Sequence, residues 1–253
     1  MRLFDSHAHF NDVAFQEDRD AVIQRCFDSG VEKTVVIGYS EHTSEEALAI
    51  AKQYDGLYAT VGAHPDECNG EIDLSFVSKL AKDEKVVAIG EIGLDYHYET
   101  TRKEPQAKYF IEQIKIANEL GLPVSIHSRD ADMDMLKILK ENPIEKGFVM
   151  HCFSSSSEIA KEVLKLGGYI SLAGTVTFKN ARGLLEVAKM VPQDKLLIET
   201  DSPYLAPEPF RGTRNDPSLI INTARKIADL RETTLEEIAE ATYQNAMKFY
   251  GIK

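Results

Sequence analysis

The sequence predicts an α/β fold, a (β/α)8 barrel of the TIM type with an additional C-terminal helix. Eight short runs rich in β-branched residues alternate with stretches of helical periodicity, a pattern typical of a parallel sheet covered by helices. A length of 253 residues matches the usual size of such a barrel, and no linker divides the chain, so we expect one domain over residues 1–253. No GxGxxG motif follows the first run, which counts against a doubly wound open sheet.

The predicted strands are nearly continuous apolar runs bounded by polar residues or glycine. Such runs are typical of parallel strands buried on both faces, whereas half-exposed strands alternate between apolar and polar residues. In chain order the runs cover residues 2–7, 33–38, 57–63, 85–91, 122–127, 147–153, 168–173 and 195–200.

Helices are predicted between these strands. Helical periodicity is seen over residues 17–29, 43–54 and 103–121. In the third stretch Phe110, Ile114 and Ala117 follow a spacing of four and three residues, and Gly121 is expected to end the helix.

Capping residues indicate three further helix starts. Serine or threonine followed three residues later by glutamate predicts a capping box, and aspartate before proline predicts an N-cap. The pairs are Ser155 with Glu158, Asp216 with Pro217, and Thr234 with Glu237. The last pair opens the additional C-terminal helix, which we expect to end at Gly251.

Composition and charge exclude several classes of protein. The formal net charge of −12 gives no general attraction to nucleic acid or to an anionic membrane, so a packaging protein is not expected. Cys26, Cys68 and Cys152 are odd in number and form no CxxC pair, which predicts a reducing compartment. With neither a signal-peptide core nor an apolar run of 18 residues, the sequence predicts a cytoplasmic protein that does not interact with membranes. Nothing in the sequence calls for an obligate protein partner.

Potential metal ligands gather where the predicted strands end. The chemistry of a (β/α)8 barrel lies at the carboxyl ends of its strands, so side chains from different strands meet there. Any one of them alone would more often be a core histidine or a loop carboxylate, but imidazoles and carboxylates from five strands together predict a metal centre. The expected ligands are His7, His9, Glu91, His127, His151 and Asp201.

Six ligands exceed the number that a single tetrahedral ion takes. We therefore expect two divalent ions bridged by a carboxylate, for which Glu91 is the candidate because it lies in the middle of the ligand order. Nitrogen and oxygen ligands fit Zn²⁺, Mn²⁺ or Mg²⁺. Asp5 and Glu199 are expected to orient the ligands without binding metal.

Three further residues near the strand ends are candidates for binding the substrate. Arg129 lies two residues beyond His127, and Arg214 lies after the last strand; arginine is suited to phosphate. His64 at the end of the third strand could donate to a phosphate oxygen or brace a turn. The alternative for the arginines is an ion pair with a carboxylate, which for Arg211 is as good an interpretation as substrate binding.

The motifs in order resemble those of the TatD family of metal-dependent deoxyribonucleases, which belongs to the amidohydrolase-like metal barrels. The resemblance runs from residue 4 to the terminal TYQNAMKFYG. It rests on FDSHAHF, VGAHPDE, IGEIGLDYHY, PVSIHSRDA, HCFSSS, IETDSPYLAP and RGTRNDP.

The resemblance implies a role for each matching residue. His7, His9, Glu91 and Asp201 would hold one ion, and Glu91 would share the second ion with two further ligands. Those ligands are His127 and His151. Asp201 would also take the proton of the attacking water, and His64 would face the substrate.

The function that the resemblance implies is metal-dependent hydrolysis of DNA, exonucleolytic on single strands. The residues themselves support hydrolysis of an anionic or polar ester. The alternatives are hydrolysis of another ester, amide or lactone, including an aminoacyl ester at an RNA end, and a non-catalytic binding protein built on the same barrel. Arginines lining the metal pocket would favour phosphate, since a neutral substrate does not require them.

Overall fold

The strands of this computed structural model form one parallel sheet in which neighbours follow the order of the chain. The structure describes residues 1–68, 70–98 and 102–253. The strands are β1 (Leu3–Ala8), β2 (Val31–Val36), β3 (Leu57–Val61), β4 (Val86–Asp95), β5 (Val124–Arg129), β6 (Phe148–Met150), β7 (Tyr169–Leu172) and β8 (Leu196–Ile198).

The two edges of this sheet meet, so the sheet is a nearly closed barrel. Ala8 at the end of β1 forms an isolated parallel bridge with Ser202, which follows β8. The His9 N–H donates to the Ser202 carbonyl at 2.8 Å, and the Asp201 N–H donates to the His7 carbonyl at 2.9 Å. The predicted (β/α)8 barrel is confirmed.

Helices alternate with the strands around the barrel. Among the described residues they are α1 (Arg19–Asp28), α2 (Glu41–Ala51), α3 (Ser75–Leu80), α4 (Lys103–Leu120), α5 (Asp132–Glu141), α6 (Ser157–Lys165), α7 (Arg182–Met190), α8 (Ile220–Arg231) and α9 (Leu235–Tyr250). No helix in the described ranges is both long and apolar enough to cross a membrane.

Most of the predicted helix ends are confirmed. Gly121 and Gly251 adopt left-handed conformations after α4 and α9, and Thr234 with Glu237 forms the expected capping box. The predicted cap of α6 is wrong by one residue. Ser156 accepts the Ile159 N–H, while the Ser155 hydroxyl instead donates to Asp132 on the neighbouring helix.

Four strands are shorter than predicted, and the difference is largest in β6 and β8, where the chain leaves the extended conformation early. β6 ends before Cys152, which has φ 42°, and β8 ends before Asp201, which has φ 55°. Both residues adopt the left-handed conformation, in which a strand cannot continue. These two turns place His151 and Asp201 just beyond their strands, at the rim of the barrel.

The additional helix α9 covers the amino-terminal end of the barrel. Its buried aromatic side chains join one apolar cluster with residues of six strands, β1, β2, β4, β6, β7 and β8. The ring of Tyr250 stacks on Phe4 with centroids 5.9 Å apart, and its hydroxyl donates to the Ser6 carbonyl at 2.9 Å. A larger apolar cluster lies between the strands and the surrounding helices. The carboxyl end of the barrel is left open for chemistry.

Candidate metal centre

Five strands bring the predicted ligands together at the carboxyl end of the barrel. The side chains come from β1 and the residue after it, from β4 and β5, and from the turns after β6 and β8. They are His7, His9, Glu91, His127, His151 and Asp201, and four of them are buried residues.

The pairing of β1 with β2 is irregular around His7. Along the β1–β2 pair, Asp5 is opposite Thr34 and Ala8 is opposite Val36, so three steps on one strand match two on the other. The Asp5 carboxylate accepts the backbone N–H of His7 at 3.2 Å and that of Thr200 at 3.0 Å. Asp5 therefore positions His7 through the backbone of β1, in keeping with the expectation that it orients a ligand without binding metal.

Glu91 lies at the middle of the centre, and its two oxygens face different sets of nitrogens. Oε1 is 2.8 Å from Nε2 of His151 and 3.0 Å from Nδ1 of His127. Oε2 is 3.4 Å from Nε2 of His7 and 4.0 Å from Nε2 of His9. A carboxylate placed in this way can bridge two groups of ligands.

Asp201 completes the group around His7 and His9. Its Oδ1 is 3.6 Å from Nε2 of His7 and 3.3 Å from Nε2 of His9. The potential ligand atoms of these three residues lie within 4.8 Å of one another, as do those of His7, Glu91 and His151. Imidazole nitrogens and carboxylate oxygens in this arrangement fit a borderline divalent cation.

Two carboxylates fix the orientation of the second pair of histidines. Nε2 of His127 is 3.0 Å from Oδ2 of Asp95, and Nδ1 of His151 is 3.2 Å from Oε1 of Glu199. A carboxylate at the outer nitrogen holds the proton there and leaves the lone pair of the inner nitrogen for a cation. The residues therefore fit a metal centre in their donor chemistry and in their orientation.

The charges within the centre favour an ionised Glu91 carboxylate. Burial disfavours the charged form of Glu91, but His151 and His127 outweigh burial and hold the pKa of the carboxyl well below its usual range. Burial also raises the pKa of Asp201, but hydrogen bonding to His9 and the charge of His7 lower it overall. Both carboxylates are therefore ionised at neutral pH, as metal ligands must be.

His64 lies beside this centre and differs from the other histidines in its hydrogen bonding. Its Nε2 is 3.5 Å from Oε1 of Glu91, while its Nδ1 accepts the backbone N–H of Asp66 at 3.2 Å. Burial lowers the pKa of His64 to about 3, so the ring is neutral at pH 7. A neutral ring that accepts at Nδ1 carries its proton on Nε2, which makes His64 a hydrogen-bond donor toward the centre.

The comparisons with known proteins agree with this geometry. The model of the family described as TatD related DNase matches residues 4–251. The chain belongs to this family.

Individual relatives cover the whole chain. The uncharacterized metal-dependent hydrolase YabD of Bacillus subtilis is 46% identical over 253 residues, which cover 99% of each chain. The uncharacterized metal-dependent hydrolase YcfH of Escherichia coli K12 is 38% identical and covers 100% of this chain and 97% of that protein. The crystal structure of YjjV, a TatD homologue from E. coli K12, superposes with a TM-score of 0.94 at 32% identity, covering 100% of this chain and 99% of that one. The chain is thus a metal-dependent hydrolase of the TatD family, as the motifs predicted.

The TatD-family centre opens into a cleft of about 710 Å³. Arg129 lines this cleft, and its guanidinium carbon is 5.6 Å from the centroid of the exposed Tyr98 ring. Arg214 does not line it. Both guanidinium NH2 groups of Arg214 donate to Asp18, and one also donates to the Ala14 carbonyl. The structure therefore brings one of the two expected arginines to the cleft, and substrate binding by either remains a prediction.

Asp95 is the orienting residue that the motifs did not single out. β4 continues four residues beyond Glu91 and ends at Asp95, where the strand was predicted to stop at residue 91. The even spacing of Glu91 and Asp95 is the signal that could have found it, since residues two or four apart share a face of an extended strand. Cys152 also lines the cleft, and burial raises the pKa of its thiol well above the usual range, which disfavours the reactive thiolate.

Asp95→Asn is expected to weaken metal binding by about 10- to 100-fold, which is typical of a lost carboxylate partner of a ligating histidine. An asparagine amide can place its NH2 group toward His127 and no longer fixes the ring's proton. Isothermal titration of the metal-stripped protein with Zn²⁺ or Mn²⁺ measures the change. Asp229→Asn on the exposed face of α8 is the matched control, and equal affinities in the two variants would contradict the role of Asp95.

Proposed function

We propose that this TatD-family hydrolase is a deoxyribonuclease that cleaves phosphodiester bonds of single-stranded DNA from a strand end, using two divalent ions. The observation that carries the proposal is the position of Glu91, whose oxygens face two separate groups of ligand atoms. Two ions bridged by a carboxylate are typical of enzymes that hydrolyse phosphodiesters. The family match supports DNA as the substrate class.

The oxygen of Glu91 that each ligand faces suggests how the ligands would divide between the two ions. His7, His9 and Asp201 would hold one ion with Oε2 of Glu91. His127 and His151 would hold the other with Oε1 of Glu91. Divalent cations bound there would supply Lewis-acid chemistry, which acidifies a water and stabilises negative charge on phosphoryl oxygens. Mg²⁺, Mn²⁺ and Zn²⁺ are the candidate ions, because each accepts imidazole and carboxylate ligands to some degree.

The chain's own side chains would handle protons and bind the phosphate. Asp201 is ionised and lines the cleft, so it can accept the proton of the attacking water as a general base. His64 presents its Nε2–H toward the centre and can donate to a phosphoryl oxygen or to the leaving oxygen. Arg129 at the cleft wall can pair with the phosphate through two parallel hydrogen bonds.

Arg214 enters the proposal as a second phosphate contact, which requires Asp18 to release it. The Asp18 carboxylate already accepts hydrogen bonds from the two guanidinium nitrogens of Arg214 that a phosphate would need. We therefore expect Arg129→Ala to have a larger effect than Arg214→Ala. Arg129→Ala is expected to lower kcat/KM on DNA by about tenfold or more, as for a lost hydrogen bond to a charged group. Arg225→Ala on the exposed face of α8 is the matched control.

The test uses metal-stripped protein restored separately with Mg²⁺, Mn²⁺ or Zn²⁺, and single-stranded DNA labelled at either end. Metal-dependent shortening is expected, and the ladder of products reports the end from which cleavage begins. If no metal restores cleavage of DNA while the protein hydrolyses small esters or lactones, the proposal fails. In that case the alternative hydrolase function applies.

A further inference from the structure

A second cavity, of about 260 Å³, adjoins the metal cleft. It lies between the β6–α6 connection and the segment that leads from β7 into α7. Ser154 and Thr175 line both the cleft and this cavity, so the two open spaces meet at these residues. The two spaces are therefore neighbours, with Ser154 and Thr175 between them.

The lining of this cavity suits an anionic chain better than the lining of the metal cleft does. Among the described residues its lining includes no charged side chain, and it offers the hydroxyls of Ser154 and Thr175 and the amide of Asn180. The cleft, in contrast, is also lined by Asp66 and Glu67, which repel phosphate. Oγ1 of Thr175 is shielded from solvent and has no hydrogen-bond partner within the described part of the chain. The described lining of the cavity therefore offers polar contacts and contributes no carboxylate of its own, although Asp132 lies behind Ser155.

An aromatic ring and a cation stand at the far side of this cavity. Phe178 lines the cavity, and the guanidinium carbon of Arg211 lies 4.3 Å from the centroid of its ring. Lys179 and Arg182 flank the ring in sequence, and all three cations are exposed. None of them forms an ion pair with a carboxylate in the described ranges, although the protein carries a net charge of −12. This part of the rim therefore carries three exposed cations on an acidic molecule.

We infer that the DNA strand extends from the metal centre through this cavity, where Phe178 stacks on a base and Arg211 contacts a phosphate. This rests on the proposed function and adds a subsite to it. Aromatic side chains beside cations are the usual means of binding single strands, because every base has a face on which a ring can stack. The substrate is accordingly an oligonucleotide, and a dinucleotide that reaches only the metal cleft is cleaved less efficiently.

If Phe178 and Arg211 had a purely structural role, their substitution would have a different effect from the one expected for strand binding. If Phe178 and Arg211 only hold two loops together, their loss disturbs the metal cleft and lowers activity on short and long substrates alike. If they bind the strand, their replacement lowers activity on long substrates more than on short ones. The ratio of kcat/KM for an octanucleotide to that for a dinucleotide separates the two roles.

The experiment measures this ratio with single-stranded DNA of two to eight nucleotides and the metal-loaded protein. In the wild type kcat/KM is expected to rise with length and then level off. Phe178→Leu keeps an apolar side chain but removes the ring, and is expected to lower the ratio by roughly tenfold. Arg211→Ala is expected to lower the ratio and to reduce the salt dependence of octanucleotide cleavage. Arg225→Ala on α8 is the control and keeps the wild-type ratio.

The outcomes distinguish this inference from the proposed function. If the wild type cleaves DNA but the two variants keep its ratio, the strand path is wrong and the deoxyribonuclease stands. If the wild type cleaves no DNA of any length with any of the three metals, both fail. Thermal unfolding of each variant identifies a loss of folding, and the two variants act on different segments, so misfolding of one leaves the other as the test.

Discussion

Glu91→Gln is expected to lower the hydrolytic activity of the metal-loaded protein by about 10³-fold or more. The carboxylate is the group that faces both sets of ligand atoms, and glutamine offers one neutral oxygen where glutamate offers two charged ones. Metal ions contribute several kcal/mol of transition-state stabilisation in such centres, and each 1.36 kcal/mol corresponds to a factor of ten in rate. Steady-state kinetics on labelled single-stranded DNA, with metal content measured on the same samples, test this expectation.

The matched control is Glu119→Gln, which makes the same chemical change on the exposed face of α4. It is expected to keep the activity and the metal content of the wild type. Retention of two bound ions together with most of the activity in Glu91→Gln would refute the bridging role of this residue.

Gly93→Ala is expected to destabilise the protein by about 3 kcal/mol or more and to weaken metal binding. Gly93 has φ 147°, a conformation that residues with a side chain rarely adopt. A Cβ atom at this position would lie 2.0 Å from the carbonyl oxygen of His127, its partner across the β4–β5 pair. Relief of this overlap requires β5 to move, which shifts the ring of His127 away from Glu91.

Denaturant unfolding measures the loss of stability, and metal titration measures the loss of affinity. Gly183→Ala is the control, because a Cβ there meets nothing within 4 Å and the residue lies in α7, where alanine is preferred to glycine. A Gly93→Ala protein as stable as Gly183→Ala would show that β5 accommodates the added atom at no cost.

The fold and the convergence of the six potential ligands could be predicted from the sequence because both depend on where the apolar strands begin and end. Buried parallel strands are recognised in the sequence as apolar runs, and the carboxyl ends of these strands meet at one end of a barrel. His127 and His151 could therefore be assigned to the same rim from the sequence alone. What the patterns could not supply was the conformation at the ends themselves. The left-handed turns at Cys152 and Asp201 shorten two strands, and nothing in the apolar runs marks where the chain turns out.

Contacts between loops distant in sequence were also beyond prediction. Arg214 pairs with Asp18, 196 residues away, and only the folded barrel brings the loops after β1 and β8 together. Asp95 was missed for a related reason. Its strand was expected to end at Glu91, and the hydrogen bond to His127 that gives Asp95 its role joins two different strands.

The position of α9 has a consequence for biosynthesis. Residues that close the amino-terminal end of the barrel are far apart in the chain, and the Tyr250 hydroxyl binds a Ser6 carbonyl 244 residues away. β1, which carries His7 and leads directly into His9, is thus held in part by residues that are synthesised after all eight strands. In a chain synthesised only as far as β8, β1 lacks the hydrogen bond from Tyr250 to Ser6 and the stacking of Tyr250 on Phe4, and both form only when α9 is available.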